Sequence, residues 1–283
     1  MNDFDENISC CIIAIQKDEP YLNEWIDYHI KQGFSHIFLI DNNDIGNELV
    51  IDSKYKGYVS VFPANSLIEH HISRIQAKLY NFVLDYIKAI NSIKQIYTHV
   101  LCIDIDEYFW YFNGDINDFI KNELQNNILL SIPWLCYDDN NIIYKKDLKY
   151  NTVIENYPNV AKRQWIRNEY KTIVRITINT KLGIHYHNNL EGKFNIIDKS
   201  IAHIKHYRTQ CLEEYIDKII LRKCWDNQWW YEFGNKTIQV YFNYNKITNE
   251  KLDAFKYFYN KYNLEISKED QKFINQYYKE KES

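Results

Sequence analysis

Apolar runs punctuate the first third of the chain, each followed by a polar break. Residues 10–15 (CCIIAI) carry no charge and are rich in β-branched types, the pattern of a strand covered on both faces. Asp18 and Pro20 then open a helix whose Leu22, Trp25, Ile26, His29 and Ile30 share one face, and Gly33 stops it. Residues 37–40 form a second apolar run, ending in Asp41-Asn42-Asn43-Asp44, and residues 58–62 a third. Between 68 and 90, Ile72, Ile75, Leu79, Phe82, Val83, Tyr86, Ile87 and Ile90 recur at three- and four-residue steps, which predicts a long amphipathic helix. A fourth strand, Val100 to Ile103, runs straight into Asp104, Asp106 and Glu107. This β-α-β-β-α-β alternation predicts an α/β fold with a mostly parallel, doubly wound sheet over residues 8–110.

Beyond residue 110 the pattern loosens. Residues 128–135 and 172–178 read as strands, 137–170 as a long polar excursion, 212–221 as a helix and 248–280 as one or two terminal helices. No repeat or linker interrupts the chain, so a single domain over 1–283 is expected, with a looser helical C-terminal part. The 283 residues are 46% hydrophobic and 25% charged with only 7 Gly and 4 Pro, a globular composition that excludes a disordered or collagen-like chain. A net charge of −4 gives no general attraction to nucleic acid. No apolar run approaches the roughly 18 residues of a membrane span. The acidic N-terminus lacks the apolar core of a signal peptide. Six cysteines (10, 11, 102, 136, 211 and 224) show no C-x-x-C spacing, which fits reduced thiols. A soluble, cytoplasmic protein is expected on these grounds.

The acidic cluster carries the chemistry. Three carboxylates crowded at a strand end repel one another unless something positive sits among them, and Mg²⁺ or Mn²⁺ with oxygen ligands is the usual solution. A bare D-x-D pair is weak, since Asp3 and Asp5 make the same pair; the apolar strand before it and Tyr108, Phe109 and Trp110 after it set Asp104-Ile105-Asp106 apart. Ligands of open α/β sheets collect at the carboxyl ends of strands. A solvated acidic turn is the plain alternative.

The run IIAIQKDEPYLNEWIDYHIKQGFSHIFLIDNND resembles the opening of a glycosyltransferase family 2-like group related to glycosyltransferase family 92. IDIDEYFW resembles that group's metal site. SIPWLCYDDN (131–140) resembles its W-x-x-Y-G-D-N segment, with Asp138 in place of Gly; KTIVR (171–175), the HYH of 185–187 and HYRTQCLEEYIDK (206–218) resemble later landmarks, with Cys211 in place of Ser. The resemblance spans about residues 10–223 and lies in the ordered series rather than in any one motif.

It implies a Rossmann-like glycosyltransferase-A fold with a nucleotide-sugar-binding half (8–110), an acceptor-side half (111–223) and C-terminal helices (224–283). It implies an inverting, metal-dependent transfer from a nucleoside diphosphate sugar, UDP being the expected nucleotide, to a glycan or lipid-linked acceptor, with peripheral contact at the inner face of a membrane. The leaving diphosphate needs a held cation. Asp106 is the expected direct ligand of Mn²⁺ or Mg²⁺, and Asp104 faces the ribose or the metal's water. Glu107 stands behind them or in solvent. Of the four later histidines, His185, His187, His203 and His206, the resemblance favours His185 or His206 to complete the coordination. Asp139 is the expected proton acceptor, from its match to G-D-N, and Asp138 stays open beside it; an ordinary polar turn at 138–141 is the alternative. Lys17, Glu19 and Asp41 would line the nucleotide pocket, a turn residue with no ligand being the alternative for Glu19, while Arg74, Lys171 and Arg208 would reach the diphosphate, a solvated helix face being the alternative for Arg74. Gln76 and Lys78 share the helix of Arg74. Trp225, Trp229 and Trp230 would pack in the core, or stack on sugar or a membrane surface.

Two rivals stand. A nucleotidyltransferase would use the same acidic site but usually has a Gly-rich loop after the first strand, and residues 16–20 contain no Gly. A glycan-binding module would use the aromatic residues and have no need of the acidic cluster.

Overall fold

The structure, a computed structural model, describes residues 8–64, 75–125, 127–164, 169–185, 195–221 and 236–282. It divides into two compact units, Met1–Leu135 with Arg167–His206, and Cys136–Ile166 with Tyr207–Ser283.

The first unit is α/β. Strands β1 (Cys10–Gln16), β2 (His36–Asp41), β3 (Val59–Pro63) and β4 (His99–Cys102) alternate with helices α1 (Leu22–Lys31) and α2 (Ile75–Ile93). β1 pairs in parallel with β2 and β4, and β2 in parallel with β3. The expected parallel, doubly wound part is therefore present. β5 (Glu107–Tyr111), β6 (Leu129–Cys136), β7 (Tyr170–Arg175) and β8 (Ala202–His206) extend it in the order β3-β2-β1-β4-β7-β6-β8-β5, with antiparallel pairing of β4 to β7, β6 to β7 and β5 to β8. A short helix α3 (Ile116–Phe119) follows β5.

The core of this unit forms where α2 lays Leu79, Tyr80, Val83, Leu84 and Ile87 on Ile13, Phe38, Ile40, Val100 and Val174 of the sheet. α1 ends as the sequence predicts: Gly33 has φ +84°, a conformation strained for a residue with a side chain, and a Cβ there would lie 2.7 Å from an Asp115 carboxylate oxygen and have to displace it.

The second unit is helical: α4 (Val153–Asn156), α5 (Leu212–Ile216), α6 (Thr237–Phe242), α7 (Asn249–Lys261) and α8 (Lys268–Glu282). Its core gathers Leu212, Tyr215, Ile238, Tyr241, Leu252, Phe255 and Phe258. The 137–170 excursion holds α4 and, before β7 opens at its last residue, no strand longer than an isolated bridge among the described residues. Among the described residues no helix is long and apolar enough to cross a membrane.

Candidate active site

The acidic cluster sits in the tight connection from β4 to β5. The Glu107 amide donates to the Asp104 carbonyl (3.1 Å), closing a turn, and the Asp104 amide donates back to Glu107 Oε2 (2.9 Å). Lys171, fully buried on β7, reaches this turn, with Nζ 2.8 Å from Asp104 Oδ2 and 3.3 Å from Glu107 Oε2. Gln76 of α2 donates to Asp104 Oδ1 (2.9 Å) and to the Tyr80 hydroxyl (2.7 Å). Burial pushes the Asp104 pKa up, but the Lys171 ammonium outweighs it and holds it below the usual carboxylate range. Glu107, with no exposure, is driven the other way: burial raises it well above that range, against the pull of Lys171.

This corrects two expectations. Lys171, assigned above to a diphosphate, is enclosed against Asp104 and Glu107. The positive charge that crowded carboxylates require is, for two of the three, this lysine rather than a metal.

Asp106 is set differently. Its Oδ2 lies 3.4 Å from His206 Nε2, with both residues nearly buried at the facing ends of β5 and β8, where Glu107 pairs with His206. Two ligand atoms each about 2.1 Å from a shared cation stand about 3.0–3.4 Å apart, so this pair fits a divalent ion; a proton on His206 satisfies it equally. The Trp134 indole packs on the His206 ring (4.4 Å between centroids) and edge-on to His185 (5.3 Å). Burial, then the neighbouring Lys171 charge, lowers the His185 pKa to about 4, so its ring is neutral. Among the described residues no three His, Cys, Asp or Glu side chains converge as a complete ligand set. His187 and Arg74 lie outside the described residues, as do Trp225, Trp229 and Trp230.

The loops after β1 and β2 are stitched together at the carboxyl edge of the sheet. Gln16 Nε2 donates to Asp41 Oδ1 (2.5 Å), the Asn42 amide to the Gln16 carbonyl (2.9 Å) and the Asp18 amide to Asn43 Oδ1 (2.8 Å). Asp41 also accepts from the Asn43 amide (3.1 Å) and the Leu49 amide (2.7 Å). Its carboxylate, expected above to hold a nucleoside, thus has three bonds to the protein and builds the 41–49 loop. Lys17 is partly exposed with Nζ 3.4 Å from Asp44, and Glu19 lies on the same loop.

In the second unit the two aspartates of the 138–141 turn differ. Asp139 is only 2% exposed; its Oδ2 is 2.5 Å from Lys251 Nζ and accepts from the Tyr241 hydroxyl (2.5 Å), while Oδ1 accepts from the Asn141 amide (2.9 Å). Its own amide donates to Asn245 Oδ1 (2.7 Å). Both carboxylate oxygens are buried against protein partners and neither is open to an incoming hydroxyl, so the preference given above to Asp139 is not supported by its setting. Asp138 is half-buried, accepts only from the Asn140 amide (2.9 Å) among the bonds seen, and has its pKa raised, first by burial and then by Asp139. Arg208 stands in the same unit with its guanidinium 5.9 Å from the centre of the Tyr244 ring.

The sequence from residue 6 to 255 matches the family model for glycosyltransferase family 92. The chain belongs to that family. No curated protein matches it. Among solved structures, a similar one is core-mannan synthase A of Aspergillus fumigatus in a form with Mn and GDP, at 11% identity and a TM-score of 0.27, with 62% of this chain and 61% of that one covered. The chain thus spans about three fifths of the length of that synthase. Family membership makes sense of motifs that the sequence offered only as landmarks. Trp134 of the W-x-x-Y segment packs on His206, and Lys171 of KTIVR pairs with Asp104 and Glu107 in the acidic turn.

Proposed function

We propose that this family 92 chain transfers a sugar from a nucleoside diphosphate sugar to a hydroxyl of a glycan or lipid-linked acceptor, with a divalent cation bound by Asp106 and His206. The observation that carries this is the Asp106–His206 pair, two nearly buried donor atoms 3.4 Å apart beside a turn that stays negative. Lys171 offsets one charge. With Glu107 protonated and His206 neutral, Asp104 and Asp106 leave the group at −1, so a cation is favoured there in place of a proton on His206. When bound, the ion neutralises charge developing on the departing diphosphate. Asp104, held by Lys171 and Gln76, presents its half-exposed edge toward the ribose or the ion's water. The stitched 16–20 and 41–49 loops form a rigid wall at the sheet's carboxyl edge, and Lys17 supplies a partly exposed ammonium on it. Asp138 is the proton acceptor from the incoming hydroxyl, its raised pKa bringing it nearer the range useful to a base. Inversion at the transferred carbon follows from the family resemblance and a single base.

Thermal melting tests the reading. UDP or GDP should raise the melting temperature in Mn²⁺ and leave it unchanged in EDTA, since a diphosphate meets repulsion from the turn without a cation. A ligand at about 100 times its Kd adds roughly 2.7 kcal/mol, a shift of several degrees. Equal shifts in both conditions would overturn the cation's role.

A further inference from the structure

The strand that carries the acidic turn is anchored by side chains of α1, and three of them share the work. β5 pairs with β8 along one edge. Toward α1, Trp25 Nε1 donates to the Glu107 carbonyl (2.7 Å), the Tyr28 hydroxyl donates to the Phe109 carbonyl (2.7 Å), and the Phe109 amide donates to His29 Nε2 (3.3 Å). The other ring nitrogen, His29 Nδ1, lies 2.8 Å from the Trp25 carbonyl, so that nitrogen carries the hydrogen and Nε2 is free to accept. Positions 25, 28 and 29 fall on one helix face, and the rings lock together: Trp25 on His29 (4.4 Å), Tyr28 on Tyr108 (5.1 Å) and His29 on Tyr108 (5.8 Å). Trp25 and His29 have no exposure.

We propose that Trp25, Tyr28 and His29 are positioning residues: acting as a substitute neighbouring strand, they fix the register and direction of β5 and so set where Asp104 and Asp106 stand. Apolar side chains would fill the same space. What such side chains would not supply is the two donors and one acceptor that these three offer to the Glu107 and Phe109 backbone groups. The bonded groups belong to Glu107 and Phe109, and Glu107 is the closing residue of the acidic turn, so a displacement of β5 is passed to Asp104 through the Glu107 carboxylate. The consequence for catalysis rests on the cation reading above; the consequence for the turn does not.

The test compares Tyr28→Phe, His29→Leu and His29→Gln, the last keeping an acceptor near Nε2, with Ile87→Val on α2 as a core variant remote from β5. In metal-free protein, amide hydrogen exchange across residues 103–109 should speed up about tenfold in Tyr28→Phe and His29→Leu, the effect of one lost hydrogen bond. It should return toward wild type in His29→Gln and stay unchanged in Ile87→Val. Mn²⁺ affinity, measured directly by titration, should fall in the same order. If 103–109 exchanges no faster in Tyr28→Phe and His29→Leu than in Ile87→Val, the proposal is overturned. It is equally overturned if exchange rises while Mn²⁺ affinity holds at the wild-type value. A wild type with no Mn²⁺ affinity would instead sink the cation reading, and the exchange data would still decide the anchoring.

Discussion

Two buried lysines each face a carboxylate, and the two arrangements close differently. In the helical unit Lys251 and Asp139 are each about 2% exposed as side chains, with Tyr241 completing the contact, so one positive charge meets one negative charge and nothing is left over. In the α/β unit Lys171 is fully buried and shared between Asp104 and Glu107, Asp104 keeps 37% of its side chain exposed, and Asp106 lies 3.4 Å from His206, outside the lysine's two ion pairs. A matched, enclosed pair holds a fold together. An outnumbered cation at an open edge leaves room for a second one. That difference in charge balance, more than the presence of acidic residues, separates a structural ion pair from a ligand site.

The sharpest way to break the comparison uses the neighbouring aspartates of the helical unit. Asp138→Asn should lower sugar transfer by about 10²–10⁴-fold with little change in stability, because it removes a half-exposed proton acceptor. Asp139→Asn should act mainly through stability. If Asp139→Asn is the folded but inactive variant and Asp138→Asn is active, the roles are reversed.

The next effect is on stability. Lys251→Met strands the Asp139 charge and should cost about 3–5 kcal/mol in urea unfolding, with most of the loss recovered in the double variant carrying Asp139→Asn. Mn²⁺ should restore nothing there. Lys171→Met should also destabilise, but Mn²⁺ should recover part of that loss, because the acidic turn accepts a cation from solution. Equal insensitivity to Mn²⁺ in both variants would erase the distinction drawn between the two units.

A smaller effect separates the units by pH. All nine histidines fall within the α/β unit's segments. Burial lowers the pKa of His29 to about 3 and of His99 to about 4. A histidine whose folded pKa lies below its unfolded 6.5 contributes its full stability above pH 6.5 and loses it as pH falls toward the folded value, at about 1.4 kcal/mol per pH unit. His29 alone should cost about 2 kcal/mol by pH 5. The helical unit has no histidine, and burial there raises Asp138 and Asp270, whose proton uptake favours the fold on acidification; in the α/β unit Glu107 acts in that sense against the histidines. Hydrogen exchange at pH 7 and pH 5 checks this: sheet amides should lose protection before those of α6 and α7.

Much of this was legible in the sequence, and the gaps have physical causes. β1 to β4 and α1 stand within two residues of their predicted limits, because each apolar run is bounded by a polar turn. β5 was not recognised: EYFWY has no alternation, and its second edge is satisfied by side chains of α1 that no local pattern announces. β8, AHIKH, is too polar to stand out. The acidic turn is visible in the sequence, but its counter-charge is not: a lysine opening an apolar strand reads as a phosphate ligand, and the fold places it against Asp104 and Glu107. Its place in YKTIVR, among residues that are buried on β7, was the available signal. Lys251 carried a similar one, lying three, four and seven positions before Ala254, Phe255 and Phe258 on the apolar face of α7. Asp41 reads as a ligand from its position at a strand end, and its two bonds from the 41–49 loop and one from Gln16 depend on backbone geometry that spacing does not encode.

The central claim, that the α/β unit's acidic turn is open to a cation and the helical unit's ion pair is closed, is tested most directly by counting bound Mn²⁺ in three folded proteins. Wild type should bind one ion, Asp106→Asn should lose it, and Asp139→Asn should retain it with unchanged affinity. Mn²⁺ bound equally by wild type and Asp106→Asn, or lost from a folded Asp139→Asn protein, would contradict the account.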